Sequence, residues 1–224
     1  MSGAVIAFDL DGTLIDTAPD LIGTLNVILA EEGLPPVALA DARFLVGRGA
    51  KVMIQRGFAQ AGAELDPARL DGLFDRYIEI YLGRIADESI IFDELETTLD
   101  LLAAEGAILA VCTNKRTDLS LALLNAMGLT HRFAAIVGAD MAPRAKPDPS
   151  HLILAIETAG GQVSRALMVG DSISDVKSAQ AAGVPVVVVS FGYTDTPAHE
   201  LGGDVLIDHF TQLPAIARRL LGAA

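Results

Sequence analysis

Two aspartates, Asp9 and Asp11, stand two residues apart where a short apolar run, Val5 to Leu10, gives way to a glycine turn. On extended backbone, residues i and i+2 point to the same side, so a continued strand would aim both carboxylates into one site. The same residues also suit an ordinary strand running into an Asp-Gly turn. Three later segments carry complementary groups. Val111-Cys112-Thr113-Asn114 is an apolar run ending in a hydroxyl and an amide, and Lys146-Pro147-Asp148-Pro149 sets a lysine in a loop stiffened by two prolines. Met168-Val169-Gly170-Asp171-Ser172 ends in a carboxylate, with Asp175 four residues beyond Asp171. A parallel sheet gathers such strand ends into a ligand crevice.

In chain order, Asp-x-Asp, Thr, Lys and Asp-x-x-x-Asp resemble the four motifs of the haloacid dehalogenase superfamily of aspartate-nucleophile phosphatases. The likeness covers nearly the whole chain. It implies that Asp9 is the nucleophile, since an ionised carboxylate needs no activating base near neutral pH. Asp11 would be the general acid toward the leaving oxygen and then the general base for water. Two such charges ~4 Å apart repel by roughly 4 kcal/mol at an effective dielectric of ~20, and Asp171 adds a third. Hard oxygen ligands beside a phosphate point to Mg²⁺. Asp9 and Asp171 are its expected side-chain ligands, and the resemblance adds the Asp11 backbone carbonyl. Asp175 either binds the metal through water or caps the helix that follows it. Thr113, Asn114 and Lys146 would stabilise the phosphoryl charge, while Gly12 and Thr13 would shape the turn that meets it.

These residues need a frame to hold them. Apolar runs recur at Val5–Leu10, Ala107–Cys112, Ala135–Gly138, Ala166–Val169 and Val186–Val189, with Val205–Asp208 as a short edge strand. Amphipathic stretches Leu119–Met127, His151–Thr158 and Val176–Ala182 alternate with the later runs, and Leu213–Leu221 forms a closing helix. That alternation predicts a doubly wound, Rossmann-like parallel sheet covered on both faces. Between Asp16 and Phe92 the spacing is helical throughout, at Leu21–Glu32, Asp41–Val46, Lys51–Ala61 and Pro67–Arg84, with a break at Gly33-Leu34-Pro35-Pro36. The expected organisation is therefore an α/β core of residues 1–16 and 92–224, with an inserted α-helical cap at 17–91.

Composition narrows the partners. Of the 224 residues 51% are hydrophobic, enough for a sizeable core, yet no apolar stretch approaches the roughly 18 residues of a membrane span. A net charge of −13 disfavours nucleic acid and anionic membranes. The expected partner is a small phosphorylated metabolite, with local cations and a metal overcoming the unfavourable overall field. The single cysteine, Cys112, excludes an internal disulfide and is expected to point into the core. With no signal-like start, a cytoplasmic location is expected. Monomer and homodimer both remain open. His131, His151, His199 and His209 lack metal-ligand spacing and are expected at the surface.

Finer likeness lies in Asp16-Thr17-Ala18-Pro19-Asp20-Leu21, Thr113-Asn114-Lys115, Gly192-Tyr193 and Leu206-Ile207-Asp208-His209-Phe210. These resemble the phosphoglycolate phosphatases and their close relatives, which implies a small substrate bearing phosphate and carboxylate. Arg48, in Val46-Gly47-Arg48-Gly49, would pair with that carboxylate. Two departures stand out: Phe92-Asp93-Glu94-Leu95 replaces the Pro-Gly pair common where the cap returns, and Ile173-Ser174 replaces more polar residues. Other small-phosphate phosphatases and a sugar phosphomutase share the core residues. A metal-free dehalogenase would not need Asp11 or Asp171, and a non-catalytic regulatory module would not need to keep them all.

Overall fold

The computed structural model describes residues 1–42, 45–46 and 49–222. In chain order the strands are β1 (Val5–Phe8), β2 (Ile15–Asp16), β3 (Ile90–Ile91), β4 (Ile108–Cys112), β5 (Ala135–Val137), β6 (Ala166–Gly170), β7 (Val186–Val189) and β8 (Val205–Ile207). The helices are α1 (Ala18–Glu31), α2 (Leu39–Ala42), α3 (Ala50–Gln60), α4 (Leu70–Leu82), α5 (Leu95–Ala104), α6 (Thr117–Ala126), α7 (Pro149–Thr158), α8 (Ile173–Ala182) and α9 (Leu213–Leu221).

Six strands form one parallel sheet in the order β5-β4-β1-β6-β7-β8. Alternation sorts its side chains. Ile6, Phe8, Leu109, Val111, Leu167 and Val169 pack on one face with Leu99 of α5, Leu123 of α6 and Leu213 of α9. Val5, Ala7, Ala110, Cys112, Ala166 and Met168 pack on the other with Leu152 and Ile156 of α7 and Val176 of α8. Both faces are dry, which is why the strands read as continuous apolar runs. This is a doubly wound α/β fold. Its strand order reverses at β1, which lies between β4 and β6. In open parallel sheets the ligand crevice lies at the carboxyl ends of the strands flanking such a reversal.

The chain leaves the sheet through β2 and returns through β3, and these two pair antiparallel, with Ile15 opposite Ile91 and Asp16 opposite Ile90. Between them, α1, α3 and α4 bury Ile22, Leu25, Ile28, Ile54, Phe58, Tyr77 and Tyr81 in a cluster of their own, which also takes in Leu119 and Tyr193. Asp20 ties the two crossings together. Its fully buried carboxylate accepts from Ser89 N (2.8 Å), Ser89 Oγ (2.6 Å) and Glu88 N (3.0 Å). Among the described residues, no helix is long and apolar enough to cross a membrane.

Strand β3, inside a stretch read as helical throughout, and helix α5 depart from the sequence reading. Helix α5 was not anticipated, although Leu95, Leu99 and Leu102 recur at helical spacing and are fully buried. The break before it holds Glu94 at φ 60°, a left-handed conformation. Such a position favours glycine, and here it is held by glutamate.

Candidate active site

The three central strands deliver their motifs to one edge. Asp9 extends β1 by one residue, its N–H donating to Val169 O at 2.9 Å. The chain then turns tightly: Thr13, Leu14 and Ile15 N–H groups all converge on Leu10 O, and Gly12 N donates to Ile15 O. Gly12 sits at φ 80°, and a Cβ there would come within 2.6 Å of Asp171 Oδ2 and 2.8 Å of the Tyr193 ring. Glycine is therefore required both by the turn and by the side chains crowding it. The Gly12 and Thr13 amides are engaged inside the turn, and Thr13 Oγ1 donates to Asp171 Oδ1 at 3.0 Å.

Asp9, Asp171 and Asp175 are buried, and each offers a carboxylate oxygen within 4.8 Å of the others'. Lys146 is the cation set among them. Its ammonium donates to Asp175 Oδ1 at 2.6 Å and Cys112 O at 2.7 Å, and pairs with Asp9 Oδ1 at 3.0 Å. With all three carboxylates ionised, one ammonium would leave a local charge of −2. Burial pushes the Asp9 carboxyl up to about 7; the Asp175 charge adds to this rise, and Lys146 opposes it. Burial, then Asp9 and Asp175, hold Asp171 well above the usual carboxylate range. Burial alone would pull Lys146 down, but the charges of Asp175 and Asp9 outweigh it and raise the ammonium above the ordinary lysine range. An all-oxygen donor set with uncompensated charge fits a hard divalent cation.

Asp175 is already heavily engaged. Its Oδ2 accepts from Ser172 N (3.0 Å) and Ser172 Oγ (2.6 Å), the capping box that starts α8. Of the two readings of this residue, the cap is present in the structure. Asp171 takes Tyr193 N at 2.6 Å. A Cβ on Gly192 would come within 2.2 Å of Asp171 Cβ, so the Gly192-Tyr193 pair lets the backbone close over the carboxylate.

Asp11 points elsewhere. Its Oδ1 accepts from Thr17 Oγ1 at 2.8 Å, and the Lys115 ammonium binds both of its oxygens, at 2.9 and 3.2 Å. Asp9 and Asp11 nevertheless line one cavity of about 250 Å³. Its walls come from the strand-end loop Thr113, Asn114 and Lys115, and from Met53 of α3 and Phe74, Tyr77 and Tyr81 of α4. The buried Thr113 hydroxyl accepts from Lys115 N at 3.2 Å, which leaves its proton to donate. Asn114 Nδ2 donates to Lys146 O at 3.1 Å, while its Oδ1 is buried without a partner. Arg48 lies outside the described residues.

Lys115 and Tyr193 were read from the sequence only as marks of likeness. The one pairs with Asp11 and the other with Asp171, contacts that join distant parts of the chain. His151 departs from its expected surface position: it is fully buried in α7, with Lys146 N donating to Nδ1 at 3.3 Å and Nε2 facing Val137 O at 3.1 Å. A buried imidazole with two backbone partners replaces a solvated one. Cys112 points into the core as expected, and burial pushes its thiol up to about 12.

The sequence profile of the haloacid dehalogenase-like hydrolases matches residues 6–189. The phosphoglycolate phosphatase of Caulobacter vibrioides is 53% identical over 221 residues, covering 99% of this chain and 93% of that protein. That of Agrobacterium fabrum is 49% identical, covering 97% and 94%. The crystal structure of a predicted phosphoglycolate phosphatase from Haemophilus somnus superposes with a TM-score of 0.88 at 32% identity, covering 95% of this chain and 97% of that one.

Proposed function

Since this chain belongs to the haloacid dehalogenase-like hydrolases and is a phosphatase, we propose that it hydrolyses 2-phosphoglycolate through an aspartyl-phosphate on Asp9. The observation that carries the reading is the buried constellation of Asp9, Lys146 and Asp171, beside a cavity that Asp9 lines together with Asp11. The substrate is carried by the relatives' identity with this chain.

In the first half-reaction an Asp9 oxygen forms a bond to phosphorus as the bond to the glycolate oxygen breaks. Asp11 gives that leaving oxygen its proton. In the second, water attacks phosphorus, its proton goes to Asp11, and the bond to Asp9 breaks, restoring both carboxyl groups. Thr113 donates to a phosphate oxygen, and Lys146 holds positive charge beside the attacking carboxylate. Asp9 and Asp171, with the Asp11 backbone carbonyl, would hold Mg²⁺, and Asp175 would reach it through water. Bound there, Mg²⁺ offsets the carboxylate charge and the dianionic phosphate together. We assign residues 17–91 as a cap over residues 1–16 and 92–224, excluding water from the cavity, and Arg48 as the partner of the substrate carboxylate.

The test is phosphate release from a panel of small phosphate esters, with Mg²⁺ or with EDTA, beside Asp9→Asn. Metal-dependent turnover that prefers phosphoglycolate and vanishes in the variant is expected. Preference for another ester overturns the substrate, and undiminished release by Asp9→Asn overturns the mechanism.

A further inference from the structure

Lys115 belongs to none of the four motifs, yet it is 9% exposed and places its ammonium against both oxygens of Asp11. Its backbone N–H binds Thr113 Oγ1, so the loop that presents the threonine also fixes the lysine. On its far side the ammonium lies 4.6 Å from the centroid of the Tyr81 ring, which belongs to α4. Desolvating a lysine and a carboxylate offsets much of their attraction, so stability alone is a weak reason for this pair. We propose that Lys115 is a positioning residue: it holds Asp11 for proton delivery and, through Tyr81, ties that pose to the seating of α4 over the strand-end loop. Three contacts define the lysine's position: the Asp11 carboxylate, the Thr113 hydroxyl and the Tyr81 ring. Loss of the cation leaves Thr17 alone to orient Asp11 among the described residues, and unseating α4 removes one wall of the lysine's site.

The inference rests on Asp11 being the acid of the proposed reaction, and leaving-group dependence separates the two. The quantity kcat/KM reports transfer to Asp9, where an alkyl leaving group needs Asp11's proton and p-nitrophenolate does not. Lys115→Met is expected to lower kcat/KM by about tenfold or more for both phosphoglycolate and ethyl phosphate, and by less than about threefold for p-nitrophenyl phosphate. Lys115→Arg should recover most of the loss, and Tyr81→Leu should show the same pattern more weakly. An equal loss on all three esters overturns the proposal in favour of a structural role. A loss on phosphoglycolate alone overturns it in favour of a contact to the substrate carboxylate. No leaving-group dependence in Asp11→Asn, measured alongside, overturns the acid assignment and the inference with it.

Discussion

Replacing His151 by glutamine should make the protein less sensitive to acid. The imidazole is fully buried. Lys146 N donates to its Nδ1, so the proton sits on Nε2 and faces Val137 O. Burial, followed by the Lys146 charge, pushes its pKa from 6.5 down to about 4. Above 6.5 the ring is neutral whether the chain is folded or not, and titration contributes nothing. As pH falls below that value the unfolded chain takes up a proton that the folded chain refuses until about 4. Stability must therefore drop across that window, by ~1.4 kcal/mol per pH unit and about 3 kcal/mol in all. Urea unfolding of both proteins between about pH 7.5 and about pH 4.5 isolates this contribution, because the carboxylates titrate in both. At the upper pH, His151→Gln should be the less stable protein by about 1–2 kcal/mol, from lost packing and weaker hydrogen bonds. At the lower pH the difference should vanish or reverse. A gap that stays constant across the range would refute the argument, since the folded ring would then be taking up its proton freely.

Glu94→Gly should stabilise the protein by about 1 kcal/mol, measured by the same unfolding method, because it relieves a left-handed glutamate. A loss of stability would mean that the Glu94 side chain makes up for its strained backbone. Mg²⁺ affinity, followed by titration calorimetry, should weaken by roughly tenfold or more per pH unit below about 7, the value to which Asp9 is raised, since Asp171 is raised as well. Below that pH the metal must displace a proton, so binding should release one to buffer. Affinity that is flat from about pH 5.5 to about pH 8 would refute this linkage.

How legible each part was follows from what kind of signal it left. Val186–Val189 and Leu213–Leu221 could be read to the residue, since one is an unbroken β-branched run and the other a sharply two-faced helix. Helices α6, α7 and α8 begin two or three residues before the apolar pattern that revealed them. In α7 and α8 the first turn is engaged in helix capping: Asp148 accepts Ser150 N ahead of Pro149, and Ser172 exchanges bonds with Asp175. Strands β2 and β3, two residues each, are too short to show any period. The placement of Asp9, Thr113, Lys146 and Asp171 was readable because each closes an apolar strand or sits in a proline-stiffened loop. Lys115, Tyr81 and His151 were not, because their surroundings are assembled from distant segments. A lysine two residues past a strand end looks the same in sequence whether it meets water or Asp11.

The pairing of β2 with β3 also bears on how such a protein can change over time. The chain departs at Ile15–Asp16 and comes back at Ile90–Ile91, one strand spacing away, roughly 5 Å. With those two ends pinned together, the sheet does not feel the length or shape of whatever is spliced between them. Asp9, Thr113, Lys146 and Asp171 all lie outside that splice, while α3 and α4 inside it supply much of the cavity wall. On the proposed mechanism, Asp9, Thr113, Lys146 and Asp171 occupy one part of the chain and much of the cavity wall another, so that exchange in the helical stretch that keeps Tyr81 against Lys115 can retune which ester is accepted.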